Sequence, residues 1–247
     1  MSDPQGAFAD INGLRLYYEI HGRGRPLVLL HGGVVTLDLM FVPLLPTLAA
    51  SHQVIAVEMQ GHGHTADPRR TMSIDQLADD VVALLAHLEI EEADVFGFSL
   101  GGIVGWSLVM RYPKIVRRLV VASADYRSRE AGLDEVPAPM PTHADFQAMR
   151  AAYQAVAPDP LHFDTLQETV GTMVQTFVGW TADDVRAVTT PTLVMVGDND
   201  FIRVQDATEA AELLPHGQLA VLPGTTHMDM TRSPDRILAM IVPFLDA

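Results

Sequence analysis

The chain has no cysteine, few basic residues and no long hydrophobic run. Without cysteine it cannot form disulfides or cysteine-based metal sites, which fits a reducing compartment. Lys and Arg number 16 against 31 Asp and Glu, a formal net charge of -15 that should repel nucleic acid and anionic membranes. No apolar run is long enough to span a bilayer, and the first residues lack the pattern of a signal peptide. We therefore expect a cytoplasmic protein with no nucleic-acid or membrane partner.

Strand-like segments alternate with helix-like segments along most of the 247 residues, of which 48% are hydrophobic. Buried strands that alternate with helices predict parallel βαβ units. The dipeptide Asn12-Gly13 predicts a tight hairpin at the start, which adds an antiparallel edge. The sequence thus predicts an α/β fold with a mostly parallel eight-stranded sheet. The predicted strands are Ala7–Ile11, Leu14–Ile20, Pro26–Leu30, Gln53–Val57, Ala93–Phe96, Val116–Val121, Thr192–Val196 and Gln218–Leu222.

Helices are predicted between most of these strands. Ser73 and Gln76 fit a capping box at the start of one of them. Pro43 and Pro46 indicate that the helix between the third and fourth strands is short or kinked. Apolar residues repeat at helical spacing along the capped helix, at Ile74, Leu77, Val81, Leu84, Leu85 and Leu88. Further helices are predicted at Gly102–Met110, Val204–Leu214 and Ser233–Phe244.

The alternation breaks between residues 126 and 187. This region opens with the proline-rich Val136–Pro141 and offers helices at Ala144–Val156 and Leu161–Phe177. We predict a helical cap (126–187) inserted into a core made of 1–125 and 188–247, since strand-like sequence resumes afterwards; a separate helical appendage is the alternative. Some of its large apolar residues should roof a pocket while most pack the cap helices together. These residues are Met140, Phe146, Met149, Tyr153, Phe163, Met173, Phe177 and Trp180.

Gly97-Phe98-Ser99-Leu100-Gly101 is the most informative motif. It matches G-x-S-x-G, a sharp turn between a strand and a helix that lifts a serine hydroxyl above a sheet. An apolar, β-prone segment precedes it and an apolar helical segment follows it. The glycines suit such a turn because side chains there would collide with neighbouring backbone. The motif therefore predicts that Ser99 is a nucleophile.

A serine hydroxyl needs a base, and the base needs an orienting acid. His227 follows the last predicted strand, and Asp198 and Asp200 follow the strand before it. Asp125 follows an earlier strand. In an open α/β sheet, active groups gather at the carboxyl ends of strands. We expect His227 to be the base, with Asp198 or Asp200 as the acid.

Together these segments resemble the α/β-hydrolase superfamily, and in particular small bacterial esterase-like members with a helical cap. The resemblance covers nearly the whole chain. It implies that Asp200 is the acid, that Asp198 supports the loop by hydrogen bonding, and that Asp125 occupies an alternative acid position. It rests on His31-Gly32-Gly33, Gly61-His62-Gly63-His64-Thr65, the serine turn, Gly197-Asp198-Asn199-Asp200 and Gly224-Thr225-Thr226-His227.

The segment His31-Gly32-Gly33-Val34 resembles the oxyanion loop of that family. Developing negative charge needs preorganised donors, which backbone N–H groups provide. The resemblance implies that Leu100 and Gly33 donate, with Val34 as the alternative to Gly33. His62 and His64 have H-x-H spacing but no nearby carboxylate or third histidine of convincing geometry, so we do not expect a metal site there.

The resemblance implies a serine hydrolase that cleaves a small, fairly apolar carboxylic ester or lactone through an acyl-serine intermediate, without a cofactor. Hydrolysis of a thioester or a carbon–carbon bond, acyl transfer and cofactor-free perhydrolysis remain alternatives, because pocket shape decides among them. Relatives that act on halides or epoxides normally carry aspartate at the turn, so Ser99 argues against both. A ligand-binding module without turnover is the non-enzyme alternative. The sequence leaves the oligomeric state open.

Overall fold

The computed structural model describes residues 6–68, 70–127 and 141–247. Its strands form one eight-stranded sheet in the order β1-β2-β4-β3-β5-β6-β7-β8. The pairs β1–β2 and β2–β4 are antiparallel and the other neighbours are parallel. This confirms the predicted α/β-hydrolase fold. The strands are β1 (Gly6–Ile11), β2 (Leu14–His21), β3 (Arg25–Leu30), β4 (His52–Glu58), β5 (Ala93–Phe98), β6 (Val116–Ala122), β7 (Thr192–Gly197) and β8 (Gly217–Leu222).

The central strands carry the core. Every residue of β5 and β7 is buried, as expected for strands covered on both faces. The hairpin between β1 and β2 turns at Asn12 and Gly13, whose φ angles of 47° and 74° are those of the predicted turn. The edge strand β8 is only half buried, with Leu219 and Val221 exposed.

Helices cover the sheet between the strands. Two four-residue helices lie between β3 and β4, as the prolines there predicted. The Ser73 side chain accepts from the Gln76 N–H, but the Gln76 side chain donates to Asp80, so the predicted capping box forms only on the serine side. The helices are α1 (Leu37–Met40), α2 (Leu45–Leu48), α3 (Ile74–His87), α4 (Leu100–Arg111), α5 (His143–Val156), α6 (Phe163–Thr176), α7 (Ala182–Arg186), α8 (Val204–Leu213) and α9 (Pro234–Asp246).

Helices α5, α6 and α7 lie in the interval between β6 and β7, and we call them the insertion helices. Within the described residues this interval carries no strand, only an isolated bridge between Arg127 and Gly179. The proline-rich segment is outside the described residues except for Pro141, as is Met140. The division into a core and a cap at residues 126 and 187 stays a prediction.

The strand order explains where a site can form. The chain passes from β3 to β4 on one side and then to β5 on the other, so the carboxyl ends of β3 and β5 lie side by side. Such a reversal of strand order opens a crevice for ligands. In the described part of the chain, no helix is both long and apolar enough to cross a membrane.

Candidate active site

Ser99 occupies a sharp turn between β5 and α4. Its backbone adopts φ 53° and ψ -116°, a conformation that few non-glycine residues adopt. A Cβ atom at Gly97 would lie 2.1 Å from the carbonyl oxygen of Gly101, and one at Gly101 would lie 2.1 Å from that of Leu30. The structure therefore explains both glycines of the motif: only residues without a side chain allow this turn to pack against β3.

Ser99, His227 and Asp200 form one hydrogen-bonded chain. The distance from Ser99 Oγ to His227 Nε2 is 3.1 Å, and His227 Nδ1 lies 2.9 Å from Asp200 Oδ1. Because a carboxylate only accepts, Nδ1 carries the proton and Nε2 is free to accept from the serine hydroxyl. The imidazole is positioned to receive the proton of Ser99.

Asp200 is buried and held in its ionised form. Burial alone would raise the pKa of this carboxyl, but the hydrogen bond and charge of His227 act in the opposite direction. The Ser123 hydroxyl and the Ile202 N–H donate to it as well, at 2.6 Å and 3.0 Å. Together these donors lower the pKa of Asp200 below its ordinary value.

The other two aspartates have different partners. Asp198 accepts from the Thr225 N–H at 3.1 Å and so joins the loop after β7 to the loop that carries His227. Asp125 accepts from the guanidinium of Arg127 at 3.0 Å. The histidine is therefore oriented by Asp200.

Ser123 is a site residue that sequence reasoning missed. It follows β6, is buried, and has a φ of 55°. Its N–H donates to the Met195 carbonyl at 2.8 Å while its hydroxyl donates to Asp200. Serine at a strand end is too common to stand out in a sequence, although its place at the carboxyl end of a central strand is a usable signal.

The predicted oxyanion donors lie next to each other. A Cβ atom at Gly33 would lie 4.0 Å from that of Leu100, and both residues line the same cavity as Ser99. The Val34 N–H instead donates to His62 Nε2 at 3.0 Å. The Val34 N–H is therefore already engaged, and Gly33 and Leu100 stay the predicted donors.

His31 and His62 are buried and support this loop. Their rings lie 4.6 Å apart. His31 donates to the Gly32 carbonyl and accepts from the Met59 N–H. Burial lowers the pKa of His62 to about 4 and that of His31 well below its ordinary value, so both are neutral at pH 7 and able to accept from backbone N–H groups.

His64 faces away from this pair. Its Nδ1 lies 2.8 Å from the buried carboxylate of Glu58, and the hydrogen bond to Glu58 raises the pKa of His64. Within the described residues, no group of three or more histidine or acidic side chains is placed to hold a metal ion. His62 and His64 each have a structural partner instead.

A cavity of about 310 Å³ opens above Ser99. Its walls are mostly apolar, and the insertion helices provide one side of it. Arg127 and Asp125 also reach the cavity, but they are paired with each other. The apolar lining includes Val35, Ile103, Phe146, Met149, Val170, Val174, Phe177 and Phe201.

Five of the cap residues named from the sequence divide into two groups. Phe146, Met149 and Phe177 line the cavity above Ser99. Tyr153 and Phe163 instead pack edge to face with ring centroids 5.6 Å apart.

This chain belongs to the alpha/beta hydrolase fold family, whose sequence profile matches residues 25–177, more than half of the chain. It is 29% identical to the 2-hydroxymuconate semialdehyde hydrolase of Pseudomonas sp. (strain CF600) over 94% of this chain and 91% of that protein.

Solved structures show the same fold. The meta-cleavage product hydrolase of Pseudomonas fluorescens aligns over 98% of this chain and 97% of that chain, with a TM-score of 0.81 and 21% identity. The enol-lactonase of Burkholderia xenovorans aligns over 97% of this chain and 100% of that chain, with a TM-score of 0.76 and 20% identity. These solved structures thus have the same fold as this chain.

Proposed function

We propose that the protein is a serine hydrolase that cleaves small, uncharged carboxylic esters or lactones. The observation that carries this proposal is the hydrogen-bonded chain Ser99–His227–Asp200 at the floor of a largely apolar cavity. A triad supplies the nucleophile and the proton transfer, and apolar walls favour uncharged substrates. The chemistry needs no metal or organic cofactor.

In the proposed reaction, Ser99 Oγ attacks the carbonyl carbon while its proton passes to His227 Nε2. Asp200 stabilises the resulting imidazolium. The N–H groups of Gly33 and Leu100 stabilise the oxyanion. The proton then moves to the leaving alkoxide, which departs as an alcohol or stays tethered in a lactone. Water, deprotonated by His227, hydrolyses the acyl-serine ester and releases the acid.

The test is hydrolysis of p-nitrophenyl butyrate and of a simple lactone by the wild type and by Ser99→Ala. Ser51→Ala is the matched control, because Ser51 is exposed and its hydroxyl lies 3.0 Å from Nδ1 of the neighbouring His52. We expect the control to keep wild-type kcat/KM and Ser99→Ala to lose at least about 10³-fold. Equal activity in all three would overturn the proposal. Failure of a fluorophosphonate to label folded wild type would instead favour a ligand-binding module.

The similarity to 2-hydroxymuconate semialdehyde hydrolase favours hydrolysis of a carbon–carbon bond as a second candidate. A carboxylate-bearing substrate, of the kind that this name denotes, would need a cation in the cavity. Among the described lining residues Arg127 is the only Lys or Arg side chain, and it already pairs with Asp125, Asp206 and Glu209. Because Arg127 already pairs with these three carboxylates, the cavity favours an uncharged ester over a carboxylate-bearing substrate. If the protein cleaved 2-hydroxymuconate semialdehyde but no ester, hydrolysis of a carbon–carbon bond would become the first candidate and ester hydrolysis the second.

A further inference from the structure

A second cavity, of about 340 Å³, lies beside the one above Ser99. It is formed where the start of α3 faces the end of α6 and the segment that follows α6. The mechanism proposed above makes no use of it. Its apolar lining includes Met72, Ile74, Met173, Phe177, Val178 and Trp180.

Phe177 lines both cavities. On α6, Val174 faces the cavity above Ser99 and Met173 faces the second cavity. The phenyl ring therefore stands at the boundary between the two spaces.

The ring of Phe177 is held in place rather than free. It packs edge to face on Trp180, with centroids 4.9 Å apart. The Trp180 N–H in turn donates to the Tyr126 carbonyl at 3.0 Å, and Gly179 bridges to Arg127. The segment after α6 is thus anchored to the segment that follows β6, and Phe177 is fixed as a wall.

We propose that Phe177 sets the acyl-chain length of the substrate by closing the second cavity to the chain bound above Ser99. This inference rests on the proposed ester hydrolysis and names its substrate class as short-chain acyl esters. Each methylene that a longer chain buries in the second cavity would raise kcat/KM by up to about fourfold, the equivalent of about 0.8 kcal/mol.

The first experiment measures kcat/KM for p-nitrophenyl esters from acetate to decanoate. In the wild type, kcat/KM should fall beyond a short chain. In Phe177→Ala, the ratio of decanoate to butyrate activity should rise by roughly 10- to 100-fold. Leu161→Ala is the control, because Leu161 is 85% exposed and lines neither cavity. The double variant Phe177→Ala/Thr176→Phe, which refills the second cavity, should return the ratio toward that of the wild type. An unchanged ratio in folded Phe177→Ala overturns the inference.

The second experiment places the chain directly. A fluorophosphonate with a terminally brominated decyl chain reacts with Ser99 when the Ser99 oxygen bonds to phosphorus, fluoride leaves and His227 takes the proton. Bromine quenches tryptophan on contact. The chain has two tryptophans, and Trp106 is fully buried in the core.

After mass spectrometry confirms the label on Ser99, Trp180 emission should be quenched in Phe177→Ala and not in the wild type. Phe177→Ala/Trp180→Phe, which lacks the reporter, should show no quenching. A labelled Phe177→Ala whose Trp180 emission is unchanged contradicts the inference alone. An unlabelled Ser99 contradicts the proposed function instead, so the two failures are distinguishable.

Discussion

Three non-glycine residues of the site hold positive φ angles. They are Val34, Ser99 and Ser123, at 56°, 53° and 55°. Such positions cost about 1–3 kcal/mol each and persist only where the surroundings enforce them. Each N–H here has a partner: His62 for Val34, and the carbonyls of Ala122 and Met195 for the two serines. The site is therefore built from strained residues that follow strands, each held by a specific hydrogen bond.

Ser123 gives the first prediction at this scale. Removing its hydroxyl deletes a hydrogen bond to a buried carboxylate, so the pKa of Asp200 should rise toward its ordinary value. Ser123→Ala and Ser123→Gly should both lower kcat/KM by about tenfold. Their stabilities should differ, because glycine relieves the positive φ and alanine does not. We expect Ser123→Gly to be more stable by about 1 kcal/mol in urea denaturation.

Equal losses of activity in these two variants would show that the hydroxyl acts through Asp200. An activity loss that instead tracks the loss of stability would contradict a positioning role. The pH profile of kcat/KM is the further readout. A merely structural role would leave the shape of its acid limb unchanged, whereas an altered hydrogen bond between Asp200 and His227 would change that shape.

The choice of acid gives the second prediction. Asp200→Asn should lower kcat by roughly 10⁴-fold, because an amide stabilises the wrong histidine tautomer. Asp198→Asn is the matched control, two residues away in the same loop. Its carboxylate accepts one backbone hydrogen bond, which the asparagine oxygen retains, so kcat should change by less than about threefold. Steady-state kinetics on one ester decide between them, and the reverse order of effects would make Asp198 the acid.

At the scale of elements, α6 contains a glycine in its middle. Nothing lies within 4 Å of the position that a Cβ atom would take at Gly171. Glycine inside a helix costs about 1 kcal/mol relative to alanine. We therefore expect Gly171→Ala to raise the free energy of unfolding by about 0.5–1 kcal/mol, measured by urea denaturation.

Gly105 in α4 provides the contrast. A Cβ atom there would lie 2.9 Å from Leu119 Cδ1, so the same substitution overpacks the contact between helix and sheet. Gly105→Ala should lower the free energy of unfolding by about 1–3 kcal/mol. The two substitutions gain the same helix propensity, but they should change the free energy of unfolding in opposite directions. If both substitutions stabilise the protein, the contact with Leu119 does not require glycine at position 105.

The sequence predicts those elements whose signals are local. The Asn12-Gly13 turn, the serine turn and the α3 repeat each depend on a few neighbouring residues, and all three are present. Ser123 and the pairing of His62 with Val34 could not be predicted, because both depend on which strand ends lie side by side. The prediction that the Gln76 side chain bonds the Ser73 N–H was wrong, because Asp80, one turn later, accepts a hydrogen bond from the Gln76 side-chain amide instead.

At the scale of the whole molecule, an ion pair and a histidine–carboxylate contact join the insertion helices to the rest of the chain. Asp145 on α5 pairs with Arg232, which follows the short 3-10 helix Met228–Thr231 after His227. His162 at the start of α6 lies 3.3 Å from Asp67. The Asp145–Arg232 pair connects the roof of the cavity to the segment that follows His227, so the position of the roof and the stability of that segment are coupled.

Asp145 gives the last prediction. Its hydrogen bonds to Arg232 and Thr142 lower its pKa from 3.8 to about 2. A carboxyl with a depressed folded-state pKa contributes its full stabilisation above the ordinary value and loses it as the pH falls through the folded value. Because Arg232 is about half exposed, Asp145→Asn should cost only about 1 kcal/mol at pH 7.

The difference in unfolding free energy between the wild type and Asp145→Asn should shrink as the pH falls from about 4 toward about 2, with the change already measurable near pH 3. Asp183→Asn is the control, since Asp183 is highly exposed and pairs only within α7. Its difference from the wild type should stay near zero at pH 7 and at pH 3. A constant difference for Asp145→Asn over this range would mean that the lost stability comes from altered packing. The charge of Asp145 would then contribute nothing to the stability of the contact between α5 and the segment that follows His227.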